Sequence, residues 1–240
     1  TVIGGNQRSY KPSVEWDDVI LPAELKETIL RDVESFFNRG VEVYRKLELN
    51  PFRKILLAGV PGTGKTMLCN ALAKWSLALK YNVIYISSAD MGGSHFYKIQ
   101  QALSIASRDQ KPTLILLEEI DAFLNDKQKA LFLNVLDGVE SFTNDAGTLL
   151  ISTTNYPEAI DERVLKRPGR MDRIYIVPPV ENTAVAERML RRYLGELWRE
   201  EHVALVDKIV GYPGAFVREM VVYAVTQMLD RIDEGLSVEA

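Results

Sequence analysis

The sequence predicts an α/β fold in which a parallel β-sheet is covered by helices on both sides and is followed by a small all-helical domain. Short apolar runs alternate along the chain with segments of helical periodicity, which is the pattern of a buried parallel sheet. After Pro178 and Pro179 only helical segments follow. We therefore divide the chain into an N-terminal arm at 1–13, an α/β domain at 14–178 and a small helical lid domain at 179–240.

Five strands are expected in the sheet, each a mainly apolar run beside a turn signal or a helical segment: 54–59, 82–87, 113–118, 147–154 and 173–178. A helix is predicted before them, because apolar residues recur at helical spacing from Pro22 until Gly40 closes the segment. Further helices connect the strands, among them "DKQKALFLNVLDGV", which ends at Gly138. The first thirteen residues are polar, contain Gly and Pro, and are interpreted as a lead-in arm.

Composition narrows the class of function. The 240 residues carry a net charge of -4, which argues against a general nucleic-acid binder. The single cysteine, Cys69, excludes an internal disulfide and a cysteine zinc cluster, and its helical context predicts a buried core thiol. A lone thiol fits a cytoplasmic or other reducing compartment. No apolar run approaches the ~18 residues of a membrane span, and no signal peptide is visible.

A glycine-rich segment, "GVPGTGKT" at 59–66, matches G-x-x-x-x-G-K-[ST] between a predicted strand and a predicted helix. Glycines let the backbone fold around phosphate with its N–H groups pointing inward, and the helix start adds its positive dipole end. The lysine is expected to reach the β- and γ-phosphates, and the threonine hydroxyl to ligate Mg²⁺. The alternative, a glycine turn with a chance lysine, is disfavoured by the strand–loop–helix context. The predicted nucleotide-binding residues are Pro61, Gly62, Thr63, Gly64, Lys65, Thr66 and Met67.

Two adjacent glutamates follow the third predicted strand, in "LILLEEIDAF". Open α/β sheets bind ligands at the carboxyl ends of their strands, and in phosphate-loop nucleoside triphosphatases an acid there holds the Mg²⁺ shell. Glu118 is placed for that role, and Glu119 for polarising the attacking water. The alternative is that both are surface charges at a strand end. The cost of burying an unpaired charge after four apolar residues disfavours it.

From about Val14 to about Tyr223 the chain resembles an AAA ATPase, of the narrow AAA branch of the AAA+ superfamily. The resemblance is carried by "VEWDDVILPAEL", the phosphate loop, "LLEEIDAF", "LLISTTN" and "DERVLKRPGRMDRIYI". It implies that Asn155 is the sensor that hydrogen-bonds the attacking water or the γ-phosphate. Because "GYPGAF" also resembles the family's Ser-Gly-Ala turn, four residues are implied near adenine: Asp18, Val19, Gly214 and Ala215.

Arg167 and Arg170, in "KRPGR", match the two arginine fingers that in this family reach into a neighbouring subunit's site. Taken alone, the segment favours a basic turn exposed to solvent. Its place just before the fifth strand and ahead of the lid domain favours the fingers instead. A guanidinium there stabilises charge on the transferring phosphoryl group. The resemblance therefore implies a ring, a hexamer, whose hydrolysis depends on assembly. Arg218 is interpreted as a surface or intersubunit charge.

The chain departs from the family pattern at two places. Glu118 stands where the family usually has Asp. The AAA translocase of the mitochondrial Rieske protein resembles this chain in also having Glu at that position, and in the segment "LFLNVLDGVESF". Mg²⁺ commonly keeps several waters, so a longer side chain need not abolish its binding. The segment "SSADMGGSHFYKIQQ" is several residues shorter than the peptide-gripping loop of threading members. It leaves only Phe96 and Tyr97 as aromatic candidates, and aromatic residues at a helix start more often pack in the core.

The sequence thus predicts a Mg²⁺-dependent ATPase that forms a ring and remodels a macromolecular partner, a protein rather than a nucleic acid. The expected cofactors are ATP and Mg²⁺. One alternative is a nucleotide-gated assembly scaffold with little hydrolysis, which the unusual Glu118 and the short pore segment motivate. Another is a loader-type ATPase acting on DNA, which the acidic balance disfavours. The sequence does not identify the substrate.

Overall fold

A six-stranded, fully parallel sheet forms the centre of the structure, a computed structural model that describes residues 1–3, 11–86, 95–121, 134, 142–156 and 171–233. The strand order is β1-β3-β4-β5-β2-β6. The strands are β1 (Val2–Ile3), β2 (Phe52–Ala58), β3 (Asn82–Ile86), β4 (Thr113–Leu117), β5 (Thr148–Thr154) and β6 (Arg173–Ile176). Since all pairs are parallel, the carboxyl ends of the strands meet at one edge of the sheet.

The prediction of an α/β fold is confirmed, and each of the five predicted strands is present. The count was one short, because the sheet gains β1 from the arm that the sequence analysis treated as a polar lead-in. Val2 and Ile3 pair with Tyr85 and Ile86, and the amino group of Thr1 donates a hydrogen bond to the Val83 carbonyl over 2.9 Å. Two residues are too short to show a strand pattern in the sequence.

Helices cover the sheet and then continue alone. They are α1 (Ala23–Ser35), which runs through a π-helical stretch (Phe36–Gly40) into α2 (Val41–Lys46), then α3 (Lys65–Ala78), α4 (His95–Asp109), α5 (Thr183–Leu194), α6 (Val206–Ile209) and α7 (Gly214–Asp233). Short 3-10 helices lie at Trp16–Asp18, Gly195–Leu197 and Glu200–Leu205. The helix predicted to end at Gly138 lies outside the described residues apart from Asn134, which is helical.

Both faces of the sheet are buried, which explains why its strands lack polar alternation. Along β2, Ile55 and Leu57 join a core cluster with α1 and α3, whereas Leu56 joins a second cluster with α4. A third cluster is formed by α5, α6 and α7 together with Val180. The two parts predicted at 14–178 and 179–240 thus contain separate apolar cores, although the boundary itself stays a prediction. No helix among the described residues is both long and apolar enough to cross a membrane.

Candidate functional site

One cavity of about 230 Å³ opens at the carboxyl edge of the sheet, between the glycine loop after β2 and the helices α5 and α7. Ligands of open α/β sheets bind at this edge. Strand ends, the loop, the 3-10 helix at Trp16–Asp18 and both lid helices contribute to its wall. Its lining consists of Asp18, Val19, Ile20, Gly62, Thr63, Gly64, Lys65, Thr66, Met67, Glu119, Thr153, Asn155, Met189, Tyr193, Gly214, Ala215 and Arg218.

The glycine loop has a backbone that other residues adopt only with strain. Gly62 and Gly64 have φ angles of 79° and 100°, in the left-handed region. Gly62 is also crowded, since a Cβ there would lie 2.8 Å from the Cβ of Ala215. Helix α3 begins directly after Gly64, so its unpaired N–H groups point into the cavity. The loop therefore has the form of an anion cradle.

Lys65 places a buried ammonium group in this cradle. Its Nζ donates hydrogen bonds to the carbonyl oxygens of Gly59, over 2.7 Å, and of Val60, over 2.9 Å. Burial lowers the pKa of Lys65, while the negative charges of Asp121 and Glu119 oppose that change. Both acceptors are uncharged carbonyls, so the cation has no direct carboxylate partner in these contacts. It is poised to pair with an incoming anion.

Glu119, the second residue after β4, projects into the same cavity from a strained backbone. Its φ angle is 54°, a left-handed conformation that costs a non-glycine residue about 1–3 kcal/mol. A hydrogen bond from its backbone N–H to Thr153 Oγ1, 3.0 Å long, helps to hold this conformation. Its side chain is exposed. The sheet thus presents a solvent-accessible carboxylate opposite the glycine loop.

Asn155 reaches the cavity from the end of β5, and Asp121 fixes the backbone there. One oxygen of Asp121 accepts a hydrogen bond of 2.5 Å from Thr154 Oγ1, and the other accepts one of 3.3 Å from the Asn155 N–H. Strand end β5 is therefore tied to the segment that carries Glu119. The sequence analysis gave Asp121 no role, because nothing in the spacing showed which strand end it would meet.

Glu118 does not line the cavity and lies deeper than Glu119. Its Oε2 accepts a hydrogen bond of 2.6 Å from the hydroxyl of Tyr85 on the neighbouring strand β3. Its Oε1 is buried and has no hydrogen-bond partner among the described residues. The pKa of the buried Cys69 thiol is raised, first by burial and then by the charge of Glu118. The carboxylate therefore lies near the first turns of α3.

The opposite end of the cavity is apolar and joins the lid helices to the rest of the chain. Asp18 Oδ1 forms an ion pair of 2.8 Å with Arg192 of α5, and its Oδ2 accepts a hydrogen bond from the Glu15 N–H. The N–H of Ala215, at the start of α7, donates to the Gly62 carbonyl over 3.0 Å. The phosphate loop is thus bonded directly to the lid.

Most of the residues predicted for the site meet at this one cavity, and the exceptions are specific. Pro61 is exposed at the loop and does not contribute to the cavity lining. Glu118 is also absent from the lining and lies deeper than Glu119. Arg167 and Arg170 lie outside the described residues. Arg218 pairs with Glu219 on the surface, in keeping with the interpretation as a surface charge, but it also borders the cavity.

Four residues of the cavity lining were not predicted from the sequence: Ile20, Thr153, Met189 and Tyr193. Ile20 directly follows Asp18 and Val19, so its position next to that pair could have predicted that it lines the cavity. Met189 and Tyr193 lie on α5, where they are indistinguishable by periodicity from residues of the helical core. Thr153 lies one residue before the end of a wholly buried strand. No sequence signal separates these three from packing residues.

The residues of the site fit a nucleotide with a bound Mg²⁺. The loop is too tight for a side chain at Gly62, and the orphaned Oε1 of Glu118 is an oxygen of the kind that Mg²⁺ and its waters bind. Within the described ranges, no three His, Cys, Asp or Glu side chains cluster closely enough to hold a metal unaided.

A strand, a glycine loop with its lysine, a helix and a second strand that carries acids at its carboxyl end together define a phosphate-loop protein. The acid-bearing strand β4 is separated from β2 by β5 in the sheet. The sequence pattern of the ATPase family associated with various cellular activities (AAA) matches residues 55–179, more than half of the chain. The chain therefore belongs to the AAA family, which confirms the resemblance drawn from the motifs.

Relatives of known name agree with this assignment. The chain is 30% identical to spastin of Gallus gallus over 216 residues, covering 85% of this chain and 34% of that protein. It is 32% identical to spastin of Danio rerio over 214 residues, with 84% and 37% covered. It is 31% identical to Protein SAV of Sulfolobus acidocaldarius over 240 residues, with 91% and 30% covered. The chain spans about a third of the length of these relatives.

Proposed function

We propose that this protein binds ATP with Mg²⁺ in the cavity and hydrolyses it to ADP and phosphate. The observation that carries the proposal is the convergence of Lys65, Glu119 and Asn155 on one cavity of about 230 Å³. These groups come from a glycine loop and two strand ends far apart in the chain. Membership of an ATPase family supports nucleotide binding in general.

The loop and the lysine hold the phosphates in this proposal. Backbone N–H groups from Gly62 to Thr66 surround the phosphate chain, and the ammonium of Lys65 turns from its carbonyl partners to the β- and γ-phosphate oxygens. When bound, Mg²⁺ neutralises charge on those oxygens, and the groups that would hold it are the Thr66 hydroxyl and, through water, Glu118. Adenine lies at the apolar end, between Val19 and Ala215.

Hydrolysis is an in-line displacement by water. The water oxygen bonds to the γ-phosphorus while the bond from that phosphorus to the bridging oxygen of ADP breaks. Glu119 accepts the proton that the water loses, since its carboxylate is exposed in the cavity, and the Asn155 amide orients the water. The polar bonds of Asp121 hold Asn155 in place for this step.

A ring completes the site in the proposed assembly. Arg167 and Arg170, known here from their sequence motif alone, supply a neighbour's site with positive charge in the transition state. Such arginines are worth about 10³–10⁵ in rate when they act from a partner. The expected substrate is a protein, in line with the net charge of -4. Tyr97, near the start of α4, is 72% exposed and so does not pack in the core, which keeps it a candidate for contacting a peptide.

The proposal is tested by ATPase activity per subunit with Mg²⁺ over a wide range of protein concentrations. We expect activity per subunit to rise with protein concentration and to level off once rings are complete. In Arg167→Ala, activity per subunit should stay at its low value over the whole range of concentrations. Tight ATP binding with negligible turnover at every concentration would instead favour the nucleotide-gated scaffold.

A further inference from the structure

The pair formed by Tyr85 and Glu118 lies just behind the proposed metal position. Strand pairing sets Tyr85 of β3 opposite Leu116 of β4, and Glu118 follows two residues later on the same face. Leu116 belongs to the core cluster shared with α3, and Tyr85 packs against that cluster. The 2.6 Å hydrogen bond from the Tyr85 hydroxyl to Glu118 Oε2 therefore forms beneath the start of the phosphate-loop helix.

The two oxygens of Glu118 have unequal surroundings. Oε2 accepts the phenol's hydrogen bond, whereas Oε1 is buried without a hydrogen-bond partner in the described part of the chain. Leaving a buried carboxylate oxygen unpaired costs more than leaving a neutral hydroxyl unpaired, so this oxygen is a candidate for a partner that the chain itself does not supply, such as a metal-bound water. Burial and then the charge of Glu118 raise the pKa of the Cys69 thiol, which lies on α3 about one turn after Thr66, so the carboxylate is within electrostatic range of that turn.

A glutamate has one more rotatable bond than the aspartate that the AAA family usually has here. Without a restraint, that extra bond would let the carboxylate sample several positions. Partners that hydrogen-bond a metal-binding side chain fix its orientation and affect metal affinity. A phenol donating to one oxygen supplies such a restraint and leaves the other oxygen available.

We propose that Tyr85 is a positioning residue, which holds the long Glu118 side chain so that Oε1 serves the water shell of Mg²⁺ beside Thr66. The inference rests on the proposed function, because it requires a Mg²⁺–nucleotide complex in the cavity. It assigns Tyr85 and Glu118 as a coupled unit that stands in for the shorter aspartate. Tyr85 itself touches neither nucleotide nor metal in this arrangement.

The test measures metal coupling by binding rather than by turnover. The dissociation constant of a slowly hydrolysed ATP analogue is determined with EDTA and with excess Mg²⁺, and the ratio of the two constants reports how strongly Mg²⁺ supports binding. We expect Tyr85→Phe to lower this ratio about tenfold, the lower end of the range for partners of metal ligands. The constant measured in EDTA should change less than about twofold, because the loop contacts remain.

The Glu118→Asp variant distinguishes a role of Tyr85 in positioning Glu118 from a general loss of packing around Tyr85. In Glu118→Asp the shorter carboxylate no longer reaches the phenol, so adding Tyr85→Phe should change the ratio by less than about twofold. Tyr175→Phe is the matched control. Tyr175 lies on β6 of the same sheet, and its hydroxyl donates a hydrogen bond of 2.9 Å to Asp32 of helix α1, away from the cavity lining. It should leave the ratio unchanged even if it lowers the melting temperature equally.

Three results would overturn the inference. A clear Mg²⁺ effect in the wild type that Tyr85→Phe leaves intact removes Tyr85 from the role while sparing the proposed function. An equal loss in the Glu118→Asp background shows that Tyr85 does not act through the long side chain. A wild-type ratio near one overturns both this inference and the assignment of a Mg²⁺-dependent site.

Discussion

The two ends of the cavity are built in different ways. At the phosphate end, Lys65 bonds to the glycine loop, and Glu119 and Asn155 lie on strand ends that are joined by hydrogen bonds between β4, β5 and Asp121. The base end is the end where Asp18, Val19 and Ala215 line the cavity. There, a partly exposed ion pair joins α5 to Asp18, and the Ala215 N–H joins α7 to the glycine loop. The phosphate end is thus held by hydrogen bonds to a buried sheet. The base end is held by few polar contacts, which join the apolar core of the lid helices to the rest of the chain.

This difference predicts a division of labour. Substitutions at the phosphate end should change chemistry or abolish binding, because charge and geometry there act on the reacting atoms. Substitutions at the base end should change affinity for every nucleotide alike, because its contacts are apolar and do not sense the γ-phosphate. An effect that crosses this division would show that the two ends are coupled through the Ala215–Gly62 bond.

The largest effect is expected from Lys65→Ala. Removing the buried ammonium leaves the phosphate charge without its main partner, so we expect ATP binding with Mg²⁺ to weaken at least about 100-fold and turnover to disappear. Equilibrium binding of a fluorescent ATP analogue measures this. Lys74→Ala, at the far part of the same helix and paired with Glu15, is the control and should bind normally.

An intermediate effect is expected from Thr154→Val, which removes the hydroxyl that donates to Asp121. The freed Asp121 no longer fixes the strand end that carries Asn155, so kcat should fall roughly tenfold while ATP affinity stays within about threefold. The matched control is Ser152→Ala on the same strand, whose buried hydroxyl has no hydrogen-bond partner in the described structure. An equal fall of kcat in both variants would mean that disturbance of strand β5, and not loss of the bond to Asp121, causes the effect.

The smallest effect is expected from Arg192→Gln, which breaks the ion pair to Asp18. Pairs this exposed contribute little, about 0–1 kcal/mol, so nucleotide affinity should weaken about two- to fivefold. The loss should be equal for ATP and ADP in parallel titrations. Arg191→Gln is the control on the same helix, since Arg191 pairs with Glu187 away from the cavity. A loss specific to ATP would contradict the division between the two ends.

The same contrast determines how much could be predicted from the sequence. The phosphate end was predictable because "GVPGTGKT" and "LLEEIDAF" require particular residue types in consecutive positions. The base end was predictable only in part. The family resemblance implied Asp18, Val19, Gly214 and Ala215, which line the cavity. Met189 and Tyr193 could not be predicted, since they face the cavity only through the packing of α5 against distant segments. A methionine and a tyrosine at helical spacing give no sign of such a contact.

Polar partners between strands were equally hidden. The bonds from Thr154 to Asp121 and from Tyr85 to Glu118 join residues more than thirty positions apart. Their geometry depends on strand order and register, neither of which follows from the apolar pattern of single strands. The short strand β1 was missed for a related reason, because Val2 and Ile3 form a strand only through their partner β3.

The most direct test of the account is turnover of bound ATP in Glu119→Gln. We expect this variant to bind ATP with Mg²⁺ within about threefold of the wild type. At saturating nucleotide it should release phosphate at least ~10²-fold more slowly, because it lacks the group that accepts the proton of water. Phosphate release at the wild-type rate by the saturated variant would show that Glu119 is not that group.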